Sequence, residues 1–214
     1  QASESPMIKL ITSALQPSLC SASEQQSKPL RLGLFQMRWD SDPKAHVARL
    51  QEGVATCAHA GAELVFLPEL TLSRYPADKR PQDDKDRQPE RLEDGPTVAF
   101  AQEAARANDV FVQVSLYEQA DRDDGLGYNT AVLVGPSGKI VARTRKLHIP
   151  VTEGYFEDCY FAQGPNETPY PVHSVARDNA DVQLGLPTCW DESFPEVARS
   201  YGLGGADLLC YPTA

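Results

Sequence analysis

Long apolar runs, paired cysteines and positive charge are scarce in this 214-residue sequence, and each shortage removes a class of function. No apolar run reaches the roughly 20 residues that a membrane-spanning helix needs, so no membrane partner is expected. Cysteines 20, 57, 159, 189 and 210 lie far apart with no C-x-x-C pair. That scatter argues against a disulfide framework and a zinc site, and it fits a reducing compartment, so a cytoplasmic location is expected. Lys and Arg number 20 against 30 Asp and Glu, a formal charge of -10. A nucleic-acid partner would want a basic face, and the balance here has the opposite sign. No Gly-rich phosphate loop follows Met37, which argues against a flavodoxin-like binding module.

What remains is an ordinary globular composition, 41% hydrophobic and 23% charged, with length for one good-sized core. Residues 1–29, rich in Ser, Gln and Pro, are expected to form a mobile tail, and residues 30–214 one domain. The patch from Met7 to Ile11 is shorter than a secretory h-region and follows the acidic Glu4.

Leu30 to Met37 alternates in the manner of a strand. Asp42-Pro43 then opens a helix, Asp42 as N-cap and Pro43 in the first turn. Val47, Leu50, Val54 and Cys57 form one apolar face of that helix, and Gly61 stops it. Glu63 to Leu67 reads as a second strand running into Pro68-Glu69. Strand, helix and strand with short connections predict a parallel βαβ unit, whose ligands gather beyond the C-terminal strand ends. Thr71 to Asp94 is a long polar loop, acidic around Asp83. Gly95-Pro96 starts another helix with Val98, Phe100, Ala101, Ala104 and Ala105 inward, followed by a strand over Val110–Leu116. Asn129–Val134 and Lys139–Ala142 predict a β-hairpin that delivers Lys146 to a loop end. Val151 to Gly164 reads as irregular loop, and Gly205 to Pro212 as a further strand.

The stretch that gives these pieces a common purpose is Gly185 to Glu196. An apolar strand, Val182 to Leu186, stops at Pro187, and a helical run resumes at Phe194-Pro195-Glu196. A cysteine at such a strand-to-helix turn holds its sulfur out of the backbone, near N–H groups able to receive negative charge. Cys189 taken alone is still more simply a buried core cysteine. Glu69 and Lys146 alone are a loop carboxylate and a surface lysine.

In combination the surroundings of these three residues resemble the nitrilase superfamily of carbon–nitrogen hydrolases. The likeness rests on Leu67-Pro68-Glu69-Leu70, on Gly138-Lys139 through Arg145-Lys146-Leu147-His148-Ile149-Pro150, and on Cys189-Trp190-Asp191 with Phe194-Pro195-Glu196. Gly205-Ala206-Asp207 and Tyr211-Pro212-Thr213-Ala214 extend it. The resemblance implies an α/β fold, an αββα sandwich that becomes four-layered on dimerisation, with its C-terminal part missing because typical members continue beyond the position of Ala214. It implies Cys189 as nucleophile, Glu69 as general base and Lys146 as the positive charge facing the oxyanion. It implies Glu157, chosen over Glu153 because Tyr160-Phe161 follows it, as a second glutamate orienting Lys146. Trp190 and His148 are expected in or behind the substrate pocket. No cofactor and no metal are implied.

The chemistry asks for the same parts. A thiol is mostly protonated at neutral pH and needs a base, the oxyanion needs fixed donors such as Lys146 and the Trp190 N–H, and water must later cleave the thioester. The loops look most like the N-carbamoylputrescine amidase and β-ureidopropionase branches, which implies a linear amide or N-carbamoyl substrate, with ammonia, carbon dioxide and a free amine as products in the latter case. An ω-amidase or other aliphatic amidase is the alternative within the superfamily. A non-catalytic fragment or interaction protein is the alternative outside it. A homodimer or higher homo-oligomer is expected where the fold is complete.

Overall fold

A computed structural model of the protein describes residues 8–13, 29–178 and 180–214. The tail expected over residues 1–29, and with it Cys20, lies largely outside the described residues. The chain begins its regular structure with β1 (Leu32–Leu34), α1 (Pro43–His59) and β2 (Leu64–Phe66), and β1 and β2 pair in parallel. This is the βαβ unit expected, built on local signals. Asp42 accepts a hydrogen bond from the Lys44 N–H, Pro43 sits in the first turn, and Gly61 follows the helix end at φ +87°. β1 is shorter than the alternation of residues 30–37 suggests, and Leu34 is 76% exposed. The position facing α1 is Gly33, where an added Cβ would lie 2.6 Å from the Cys57 Cβ, so helix and strand approach too closely for any side chain, while Leu32 packs against the core on the other face.

Then come α2 (Pro96–Asn108), β3 (Phe111–Glu118), β4 (Tyr128–Val134) and β5 (Ile140–Arg145). β3 joins β2 in parallel, and β4 and β5 extend the sheet antiparallel in the order β1-β2-β3-β4-β5. One face of this sheet, through Val65, Val112, Val114, Val132 and Val134, packs under Leu50, Val54 and Cys57 of α1 and Val98, Ala101 and Ala105 of α2.

The region expected to be irregular loop is partly ordered. It contains the two-residue strands β6 (Val151–Thr152) and β7 (Tyr155–Phe156), paired with each other, and a 3-10 turn at Glu157–Cys159. β8 (Val172–Val175), which the sequence pattern does not reveal, pairs antiparallel with β9 (Val182–Gly185). A 3-10 turn at Cys189–Ser193 precedes α3 (Pro195–Leu203), and β10 (Leu208–Leu209), shorter than expected, pairs in parallel with β9. The other face of the first sheet, Leu64, Phe66, Ala131, Leu133 and Ala142, packs against Val175 and Leu184 of this second sheet and against Leu186 just beyond β9. On the second sheet's far side an added Cβ at Gly185 would meet the Tyr201 ring of α3 at 2.6 Å. Helices, sheet, sheet and helix therefore stack as the expected αββα sandwich. Among the described residues no helix is long and apolar enough to cross a membrane.

Candidate active site

Four of the residues singled out from sequence meet at one end of the two sheets. Glu69 comes from the turn after β2, Lys146 from the end of β5, Glu157 from the 3-10 turn after β7, and Cys189 from the turn after β9. Lys146 is the hub. Its Nζ lies 2.8 Å from both carboxylate oxygens of Glu157, 3.4 Å from Glu69 Oε1 and 3.3 Å from Cys189 Sγ. Lys146, Glu69 and Glu157 are all buried. Glu153, the other candidate in that loop, is exposed on the turn between β6 and β7.

Each side chain is aimed by its backbone. The Lys146 N–H donates to Asn129 O at 2.8 Å and its carbonyl accepts from the Gly164 N–H at 2.9 Å. At Gly164 a Cβ would fall 2.6 Å from Arg145 O, so this lysine is clamped between β4 and a glycine that alone can come so near. Glu157 is held by Tyr160 and Phe161. The N–H groups of both donate to its carbonyl, and the two rings are buried with Leu70, Ala77 and Tyr117. The Tyr-Phe pair is thus the anchor of the turn that carries the glutamate. Glu69 donates its N–H to Thr213 O and accepts at its carboxylate from Asn129 Nδ2 (2.7 Å) and the Ala214 N–H (3.1 Å).

The Cys189 N–H is occupied, donating to Pro212 O at 3.1 Å. The Trp190 N–H takes no partner among the described residues. Asp191 fastens this turn: its Oδ2 accepts from the Thr188 N–H at 2.8 Å, and its Oδ1 accepts from the His148 N–H and lies 2.7 Å from His148 Nδ1. His148 stacks on Phe194 with ring centroids 4.0 Å apart. The turn bearing Cys189 is thereby tied to the segment bearing Lys146. Trp190 is 40% exposed.

Charge balance follows from burial. Burial pushes the Cys189 thiol up to about 12, Glu69 adds to that, and the Lys146 ammonium opposes it. For Lys146 burial works against the charge, but Glu69, Glu157 and Cys189 outweigh it and hold the ammonium above its ordinary range. Burial raises the Glu157 carboxyl against the pull of Lys146. The resting cluster therefore keeps a protonated thiol beside a fixed cation, and a base is required to draw the proton off.

Asn129, Ser115, Tyr75 and Asp191 belong to the same network and were not singled out from sequence. The Tyr75 hydroxyl donates to Glu157 Oε1 at 2.8 Å. A sequence signal existed for Asp191, since Thr188-Cys-Trp-Asp191 has capping-box spacing; the Asp191 half of the box forms, while the Asp191 N–H donates to the Thr188 carbonyl and leaves the buried Thr188 Oγ1 without a partner. Asn129 stood out only as an amide inside an apolar strand. Among the described residues no three His, Cys, Asp or Glu side chains gather in a way that could hold a metal ion.

Residues 31–214 fit the carbon-nitrogen hydrolase family. The chain belongs to that family. It is 29% identical over 185 residues to the citrullinase of Francisella tularensis, covering 86% of this chain and 61% of that protein. It is 29% identical over 192 residues to the N-carbamoylputrescine amidase of Arabidopsis thaliana, covering 90% and 61% respectively. Among solved structures, a carbon-nitrogen hydrolase from Helicobacter pylori G27 superposes with a TM-score of 0.70 at 27% identity, over 86% of this chain and 59% of that one. An amidase from Nesterenkonia sp., at 23% identity and a TM-score of 0.65, shares the fold. This carbon-nitrogen hydrolase chain thus spans about 60% of the length of the relatives it matches.

Proposed function

We propose that this carbon-nitrogen hydrolase domain, residues 30–214, hydrolyses a linear amide or N-carbamoyl group through a cysteine acyl-enzyme. The observation that carries the reading is the contact of the buried Lys146 Nζ with the half-buried Cys189 Sγ and with the buried Glu157 and Glu69 at 2.8–3.4 Å. In this mechanism Glu69 takes the thiol proton as Cys189 Sγ bonds to the substrate carbonyl carbon. The carbonyl electrons move onto oxygen, and the Lys146 ammonium and the Trp190 N–H face that oxyanion. Collapse breaks the C–N bond, and Glu69 returns its proton to the departing nitrogen. A water then gives a proton to Glu69 and attacks the thioester. The C–S bond breaks, the acid leaves, and Glu69 reprotonates the sulfur. Glu157 keeps the Lys146 ammonium in line throughout, while His148 and Trp190 belong to the pocket wall and its support.

The citrullinase and N-carbamoylputrescine amidase likenesses favour a carbamoylated amine as substrate. An ω-amidase reading has its own support in 32% identity over 194 residues to the chloroplastic omega-amidase of Arabidopsis thaliana. The unpaired state of Cys57, Cys159, Cys189 and Cys210 suits the reducing cytoplasm. Ammonia release from N-carbamoylputrescine, N-carbamoyl-β-alanine and simple aliphatic amides tests the reading. Release that disappears in Cys189→Ala supports it, and the preferred compound separates the branches. No release from any of them sinks it in favour of a non-catalytic role.

A further inference from the structure

Beside the four acid, base and thiol groups lies a second, neutral network that reaches Glu69 from behind. It starts at Leu70, a buried non-glycine residue in the left-handed region at φ +49°. A leucine there is sterically disfavoured, and it persists only where its surroundings hold it. Ser115 of β3 does the holding. The Leu70 N–H donates to Ser115 Oγ at 3.2 Å, the Thr71 N–H to Ser115 O at 2.9 Å, and the Ser115 N–H to Thr71 Oγ1 at 3.0 Å.

Because Ser115 Oγ already accepts from Leu70, its own proton is directed onward, to Asn129 Oδ1 at 3.2 Å. That contact fixes which way the Asn129 amide faces. Its oxygen accepts from Ser115, so its Nδ2 donates to Glu69 Oε1, at 2.7 Å. Asn129 is fully buried, as is Ser115. The backbone of the same residue places the cation, since Asn129 O accepts from the Lys146 N–H at 2.8 Å. One residue of β4 therefore sets both the base and the cation, the base through its side chain and the cation through its main chain.

We infer that Asn129 is a positioning residue, oriented by Ser115, whose donated N–H holds the Glu69 carboxylate in the alignment that draws the proton from Cys189. The inference rests on the proposed role of Glu69 as base. It assigns to Asn129 a requirement for donation and not for volume, and that difference is measurable. Aspartate has the shape of asparagine but donates only while it holds a proton. Two facing carboxylates at this separation share one proton, and losing it sets like charges against each other. Asn129→Asp therefore keeps the alignment at acid pH, where the shared proton replaces the amide N–H, and loses it as the pH rises.

The test is the rate of Cys189 alkylation by iodoacetamide, followed by peptide mass mapping from mildly acid to mildly alkaline pH, in the parent, Asn129→Asp, Asn129→Ala, Ser115→Ala and Glu69→Gln proteins. Expected are a loss of roughly tenfold to a hundredfold at neutral pH for Asn129→Ala, the scale of a hydrogen bond to a charged group, and a smaller loss for Ser115→Ala. The ratio of Asn129→Asp to parent should fall steadily with rising pH. A ratio constant with pH, at whatever level, overturns the inference, because lost packing has no reason to titrate. Should Asn129→Ala fail to fold, the Asn129→Asp profile and the Ser115→Ala rate decide the matter. Glu69→Gln reacting at the parental rate would instead remove the base role itself.

Discussion

Replacing Lys146 by methionine keeps most of the volume and deletes the ammonium at the centre of the cluster. The wild-type charge sits 2.8 Å from both oxygens of Glu157, 3.4 Å from Glu69 Oε1 and 3.3 Å from Cys189 Sγ, with its side chain fully enclosed. Removing one partner of a buried ion pair strands the other, at a cost of about 3–5 kcal/mol. In a chain of this size each kcal/mol corresponds to about 2–4 °C, so the melting temperature should drop by about 6–20 °C at neutral pH. The loss should also depend on pH. Without the cation the Glu157 carboxyl, already raised by burial, is relieved only by taking up a proton. A raised carboxyl favours folding while protonated and withdraws that support as pH rises through its folded value, so Lys146→Met should be less damaging in acid than in mild alkali. Thermal melts of parent and variant across that range make the comparison. A loss of the same size at every pH, or one of a degree or two, would show that Lys146 is not the charge that compensates these carboxylates.

Gly33→Ala should destabilise by about 1–3 kcal/mol, since its Cβ would sit 2.6 Å from Cys57 Cβ, and urea unfolding should show a lower midpoint at unchanged slope. Asp191→Ala leaves the buried Thr188 N–H without its acceptor, which should cost about 1–3 kcal/mol in a melt and slow iodoacetamide at Cys189; Asp191→Asn, which retains an accepting oxygen, should recover part of both. Burial holds the Cys189 and Cys210 thiols up at about 12 against an ordinary 9.0, so the unfolded chain releases these protons first. Stability to urea should therefore decline as pH rises from 9 towards 12, and Cys210→Ala should flatten that decline.

The helices α1 and α2 were legible from sequence because their signals are local: Asp42-Pro43 and Gly95-Pro96 at the starts, and inward faces whose spacing does not depend on any partner. Glu157 was separable from Glu153 only through the family resemblance, in which the second glutamate precedes a Tyr-Phe pair; in the structure Tyr160 and Phe161 are buried beside Tyr117. β8 left no such trace. Val172-His-Ser-Val175 is apolar only at its ends, and its strand state comes from pairing with β9 across the intervening residues. Alternation overstated β1, which runs only over Leu32–Leu34 of the expected 30–37: Gly33 is covered by α1 and Leu32 packs against the core between the sheets, while Leu34 is exposed. Asn129 stood out as an amide in an apolar strand, but its role was not legible, for a different reason. Its importance lies in contacts 14 and 60 residues away, and nothing in the surrounding Tyr-Asn-Thr-Ala announces them.

The nucleophilic role of Cys189 is tested most directly by rapid acid quench of the protein turning over an amide or N-carbamoyl substrate, with intact-mass analysis and peptide mapping of the quenched protein. An acyl adduct confined to the peptide bearing Cys189, formed and lost at the rate of product release and missing in Cys189→Ala, is the result predicted. Hydrolysis that persists in Cys189→Ala, or an adduct on Cys57, Cys159 or Cys210 in its place, would contradict it.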